Sequence, residues 1–152
     1  MNTSSTDRIH KEITLSAPQS RVWRAISDSA EFGEWFGVRF QGPFRVGETI
    51  RGQITVTGYE HLEFVARIER MEPERFLALR WCPFALDPER DYSNEPTTLV
   101  EFNLGDAGDG TKLTVTESGF DGIPEEHRAD AFMRNEGGWG GQMENIKRHV
   151  DG

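Results

Sequence analysis

From Ile9 the chain alternates apolar and polar positions, Ile9, Ile13 and Leu15 against His10, Glu12, Thr14 and Ser16, with Lys11 the exception. That period of two predicts a half-buried strand. Ser16-Ala17-Pro18 then supplies a helix start with proline near the first turn, and Val22, Trp23 and Ile26 fall at helical spacing. A second helical turn, starting at Asp28 or Ser29, carries Phe32, Trp35 and Phe36 to a break at Gly37. After a turn-rich stretch through Gly42-Pro43 and Gly47, Ile50, Gly52, Ile54 and Val56 alternate with Arg51, Gln53, Thr55 and Thr57. Leu62, Phe64, Ala66 and Ile68 repeat the pattern, and the Glu72-Pro73-Glu74 turn leads into a strand from Phe76 to Trp81, with Leu77, Leu79 and Trp81 on one face.

Residues Cys82 to Thr97 carry three prolines and no periodicity, so they read as a long loop with the makings of a lid. Val100, Phe102 and Leu104, then Leu113 and Val115, alternate on either side of a Gly105–Gly110 turn and predict the last two strands. The period then changes. Pro124 and Glu125-Glu126 open a helix in which Phe132, Glu136, Trp139, Met143, Ile146 and Val150 follow a 4-3-4-3-4 spacing, and Lys147, Arg148 and His149 complement its C-terminal dipole. A strand, two short helices, several antiparallel strands and one long helix make an α+β domain of about six strands, with the long helix covering the sheet's dry face.

Length changes this picture little, since 152 residues suit one domain. We expect residues 1–8 to form a disordered tail and residues 9–150 the domain. The 36% hydrophobic content is enough for a core. A net charge of −9 argues against nucleic acid or an anionic membrane as partner, because both draw on clustered Lys and Arg. No membrane span or secretory leader is legible at the polar start, which predicts a cytoplasmic protein. One cysteine, Cys82, excludes an intrachain disulfide, and the four scattered histidines lack metal-ligand spacing, so no metal or other cofactor is expected. Cys82 itself reads as a bystander or a wall residue.

Two carboxylates are candidates for chemistry. The helical register that buries Phe132, Trp139 and Met143 turns Glu136 toward the sheet, and Glu117 shares a strand face with Leu113 and Val115. A carboxyl in an apolar surround has its charged form disfavoured, which suits a proton donor or a ligand anchor. The alternative is an open, wet cavity end, or pairing with an arginine such as Arg80 or Arg134. Trp81 and Trp139 read as a cavity wall or as plain core, whereas Trp23 and Trp35 read as packing for the short helices. Gly137, Gly138, Gly140 and Gly141 bracket Trp139 at roughly 1 kcal/mol each relative to alanine. Close approach to a ligand or sheet would explain them, as would a kink or break in the helix.

The ordered set Ala17-Pro18, Val22-Trp23, Glu34-Trp35-Phe36, Val46-Gly47-Glu48, Glu72-Pro73, Leu79-Arg80-Trp81, Gly110-Thr111-Lys112-Leu113, Glu117-Ser118-Gly119-Phe120 and Gly138-Trp139 resembles the SRPBCC superfamily. Within it, the chain is similar to single-domain bacterial relatives of the activator of heat-shock protein 90 ATPase. The resemblance runs from Ile9 to Val150 and implies a START-like helix-grip fold, a curved antiparallel sheet wrapped around the C-terminal helix, with a ligand cavity between. Relatives bind lipids, hormones or polyketides, and some catalyse cyclisation or hydrolysis. The eukaryotic activator uses an additional N-terminal domain, for which this chain has no room.

The expected function is therefore binding of a small apolar, aromatic or acyl ligand, without catalysis. Its lining would be Leu62, Phe64, Leu79, Trp81, Val115, Phe132, Trp139 and Met143, with Glu117 or Glu136 fixing orientation. The alternatives are a cyclase, dehydratase or hydrolase using Glu117 and Glu136 as general acid and base, and a co-chaperone-like module whose partner is a protein.

Overall fold

A computed structural model describes residues 6–151. The first strand, β1 (Arg8–Leu15), is followed by α1 (Gln19–Ser27) and α2 (Ser29–Phe36). Six more strands follow: β2 (Val38–Phe40), β3 (Thr49–Ile54), β4 (Glu63–Glu72), β5 (Phe76–Trp81), β6 (Thr98–Asp106) and β7 (Thr111–Ser118). A 3-10 turn at Phe120–Gly122 leads into α3 (Glu125–Asp151). The strands form one antiparallel sheet in the order β1-β7-β6-β5-β4-β3-β2. The architecture is the α+β, helix-grip arrangement expected, with one strand more than the alternation revealed. That strand, β2, has three residues, too few to display a period of two. Residues 1–5 of the expected N-terminal tail lie outside the described residues, but Arg8 already pairs with Ser118, and the Asp7 carbonyl accepts from Gly119 and Phe120 N–H.

Local signals explain the element boundaries. The Asp28 carboxylate accepts from the backbone N–H of Ala30 and Glu31, capping α2, and Gly37 ends that helix at φ 96°, a conformation natural to glycine. Phe32 is fully buried between the short helices and the sheet, ringed by Trp35, Phe36, Phe40, Phe44 and Phe102 at centroid distances of 4.8 to 6.0 Å. Trp35 is buried with its indole N–H on the Ala25 carbonyl, and Trp23 packs against the same core, the packing roles expected of both.

The long helix packs along β1 and against both short helices. Its C-terminal end is tied down by polar contacts. The Asp151 carboxylate accepts from the backbone N–H of Ser16 and Ala17, and His149 meets Glu31 at 2.9 Å. Partial burial pushes the Glu31 carboxyl up, but hydrogen bonds from His149, Arg21 and Arg24 outweigh it and hold the pKa at about 2. The helix is continuous through its four glycines. Gly137, Gly138, Gly140 and Gly141 are all exposed, and a Cβ at any of them would meet no other atom within 4 Å. The expectation that these glycines admit a ligand or the sheet, or mark a break, is thus corrected: they flank Trp139 on the solvent side of an unbroken helix.

Nothing in the surroundings requires glycine there, so Gly137→Ala and Gly141→Ala should each stabilise the fold by about 0.5 to 1 kcal/mol. Urea unfolding of the two variants checks this; destabilisation by either would show a packing constraint on the helix's outer face.

Candidate functional site

The site is organised by Glu117. Its place on β7, at i+2 and i+4 from Val115 and Leu113, turns it to the dry face as its spacing predicts, and it is 0% exposed. Burying a carboxylate in an apolar interior is costly unless its lone pairs are satisfied. Four neutral side chains satisfy them here. Oε2 accepts from Trp81 Nε1 at 2.8 Å and from Thr98 Oγ1 at 2.5 Å. Oε1 accepts from Trp139 Nε1 at 2.9 Å, and Asn135 Nδ2 spans both oxygens at 3.0 and 3.1 Å. These donors come from β5, β6 and α3, so one carboxylate joins the helix to three adjacent strands. Among the described residues no buried side-chain polar atom lacks a partner.

The two indoles bound to this carboxylate stack on each other, with centroids 5.7 Å apart and planes 18° apart. Trp139 is buried beneath, while Trp81 is only half-buried and meets the rings of Phe64 and Phe36 at 5.6 and 5.9 Å. Beyond Trp81 lies a cleft of about 720 Å³. Its apolar end is formed by Phe36, Ile54, Leu62, Phe64 and Trp81, its far wall by the 82–97 loop, and its helix side by Arg134 and Asn135.

The cleft has a topological origin. Pairing between β4 and β5 begins at Arg67↔Arg80, whereas β4 begins at Glu63, so Glu63 to Ala66 pair with β3 alone. At this end the sheet splits, the β3–β4 hairpin continuing while β5 gives way to the loop. A smaller depression of about 470 Å³ between α2 and β2 shares none of these residues.

Of the expected lining, Leu62, Phe64 and Trp81 border the cleft. Leu79, Val115, Trp139 and Met143 are buried in the core and do not border this cleft, with Phe36 and Phe102 packed against the Trp139 ring. Phe132 is half-buried against Phe120 at 5.3 Å. Glu136 is exposed, contrary to the inward placement its spacing suggested. At 100° per residue Glu136 stands about 60° from Trp139 around the helix and Asn135 about 40° on the other side, so a small rotation brings the amide in and turns the carboxylate out. Glu117 and Glu136 are therefore not assembled as an acid–base pair, and neither Arg80 nor Arg134 is the partner of either. Arg80 is ion-paired to Glu69, and Arg134 donates to the Pro83 carbonyl.

Sequence reasoning missed Thr98, Asn135 and Phe36. Their only signals were a threonine opening a strand, an amide one position from the chosen carboxylate, and an aromatic already assigned to helix packing. Cys82 does line the cleft, as a wall residue. Burial pushes its thiol pKa up, which does not favour a nucleophilic thiolate. Among the described residues no three His, Cys, Asp or Glu side chains converge as metal ligands would.

Glu117→Gln tests the network. The amide would settle with its NH2 toward Thr98, whose hydroxyl can turn to accept, leaving the Trp81 indole N–H without an acceptor. A loss of about 1 to 3 kcal/mol in urea unfolding is expected. An unchanged midpoint would contradict the network.

The family model described as Activator of Hsp90 ATPase homolog 1-like protein matches residues 16–151. No curated protein sequence is significantly similar to this chain. Among solved structures, a protein from Mesorhizobium loti shares 19% identity at a TM-score of 0.74, covering 95% of this chain and 96% of that one. The Aha1 dimer from Colwellia psychrerythraea shares 15% identity at a TM-score of 0.71, covering 95% and 96%. DynU16, from the dynemicin biosynthetic locus, shares 23% at a TM-score of 0.72, but 95% of this chain spans only 47% of that protein. At such identities these structures speak for the fold alone. Since the family model covers nearly the whole chain, with the fold and ordered motifs to match, the protein belongs to the family of Activator of Hsp90 ATPase homolog 1-like proteins, within the SRPBCC superfamily.

Proposed function

We propose that this protein binds a small apolar, aromatic or acyl molecule in the cleft at the split end of the sheet. The observation that carries the reading is the cleft itself. Its volume of about 720 Å³ falls within the range typical of ligand sites, roughly 300 to 1,000 Å³. One half-buried indole, Trp81, offers its surface there while its N–H is fixed by Glu117. A ring held from behind can stack on a flat ligand without first losing rotamer freedom, which favours binding.

Binding is favoured over catalysis because Glu117, the only buried acidic side chain among the described residues, is already saturated by four donors, and the second candidate, Glu136, lies outside the cleft. The interaction-module reading has its own support. The side chains of Val56, Tyr59 and Leu86, on the β3–β4 turn and the 82–97 loop, are exposed and apolar. Such residues suit a protein surface that makes contacts, and the family description names an ATPase activator.

Phenylnaphthylamine, a neutral apolar fluorophore, should gain emission on binding, quench tryptophan and slow alkylation of Cys82, the one cysteine of the chain. Ala85→Trp, on the loop wall, should weaken binding about tenfold, equivalent to roughly 1.4 kcal/mol. No emission gain together with an unchanged Cys82 alkylation rate would overturn the ligand-binding reading and leave the interaction module.

A further inference from the structure

We infer that the molecule held in this cleft is an anion, an aromatic or acyl carboxylate or an equivalent monoanion, with its apolar body against Trp81 and Phe64 and its charged end met by Arg67 and Arg80. The inference rests on the ligand-binding reading of the same cleft and adds the chemical class of the ligand.

The first ground is charge. The chain carries 26 acidic against 17 basic residues. The cleft lining departs from that balance, with five arginines, Arg51, Arg67, Arg80, Arg90 and Arg134, against Glu63, Asp87 and Asp91, while Glu69 and Glu95, which do not line it, pair with three of the arginines from outside. Positive lining in an acidic protein concentrates the local field on an incoming anion.

The second ground is how those arginines are engaged. Arg51 pairs with Glu63 at 3.0 Å, Arg90 pairs with Glu95, and Arg134 donates to the Pro83 carbonyl at 2.7 Å. Arg67 and Arg80 differ. They stand directly opposite each other on β4 and β5, where like charges repel, and they share one carboxylate. Arg80 reaches Glu69 through Nε at 3.3 Å and Arg67 reaches it through Nε at only 3.8 Å. The terminal Nη groups of both have no acceptor among the described residues. Two adjacent guanidinium forks with free N–H groups match the paired oxygens of a carboxylate or the oxygens of a sulfonate, and a bound anion would relieve their repulsion.

The third ground is continuity. Because Glu63 to Ala66 have no partner on the β5 side, the opening runs from the arginine pair on the outer face, past that free edge, to the aromatic rings on the inner face. Arg80 and Trp81 are neighbours in sequence and point to opposite faces of their strand, so a short amphiphile passing through the split touches both. Both arginine side chains are about half exposed, so the gain is moderate and sensitive to salt.

Anilinonaphthalene sulfonate and phenylnaphthylamine share an aromatic body and differ by one sulfonate, and they serve as the probe pair. Fluorescence titration at low ionic strength should show the sulfonate binding about tenfold tighter, although it is the less apolar of the two. Added sodium chloride should narrow the difference. In Arg67→Gln/Arg80→Gln the preference should vanish while phenylnaphthylamine binds as before. Arg80→Gln alone should give an intermediate loss, and Arg8→Gln, on the opposite edge of the sheet, should leave the preference intact. Equal or tighter binding of the neutral probe, or a preference that survives the double variant, would overturn the anion inference while leaving the cleft as a ligand site. Failure of both probes to bind would overturn both readings.

Discussion

Glu117 is fully buried on β7 and accepts hydrogen bonds from side chains on β5, β6 and α3, so the position of the long helix over this end of the sheet depends on one carboxylate. Apolar burial of Trp139, Met143 and Ile146 draws the helix onto the sheet, but that force has no direction and tolerates rotation about the helix axis. Hydrogen bonds to an ionisable acceptor are directional and worth roughly 1.5 to 3 kcal/mol each in favourable settings. Asn135 and Trp139 must both face Glu117, which fixes helix rotation. The same requirement turns Glu136 to solvent and places the four glycines on the outer side.

The carboxylate also shapes the open end of the molecule. Trp81 is the last residue of β5, immediately before the loop that leaves the sheet; it pairs with Thr98 of β6 but with nothing on the β4 side, and a strand end paired on one side only is prone to fray. Its indole is held from two directions, by Glu117 at the N–H and by the Trp139 ring beneath. Between sheet and helix, where the family resemblance implies a cavity, these two indoles pack with Phe36 and Phe102. The cleft opens farther out, at the split between the β3–β4 hairpin and the 82–97 loop. A cleft there exposes one wall of aromatic rings and one of arginines, whereas a closed central cavity would have exposed neither arginine.

Alternation of apolar residues made six of the seven strands legible, and the change to a period of 3.6 located α3, because one buried face imposes those periods on the sequence. β2 escaped because three residues cannot show a period. The inward direction of Glu117 was legible for the same reason as its strand, since parity along β7 decides it. Its role was not, because Trp81, Thr98, Asn135 and Trp139 converge only after three strands and a helix are assembled. The choice between Asn135 and Glu136 turns on a few tens of degrees of helix rotation, beyond the resolution of a spacing rule. The facing of Arg67 and Arg80 is set by the β4–β5 register and the irregularity between Ile68 and Arg70, which no local pattern encodes.

The indole N–H resonances of Trp23, Trp35, Trp81 and Trp139 provide the most direct test that the cleft, held in shape by Glu117, is where a ligand binds. In nitrogen–proton correlation spectra recorded during a phenylnaphthylamine titration, Trp81 should shift most and Trp139, which shares its carboxylate, should follow by a smaller amount. Trp35, hydrogen-bonded to Ala25 within the helical layer, and Trp23 should stay in place. A titration in which Trp81 does not move, or in which all four resonances move alike, would contradict the account.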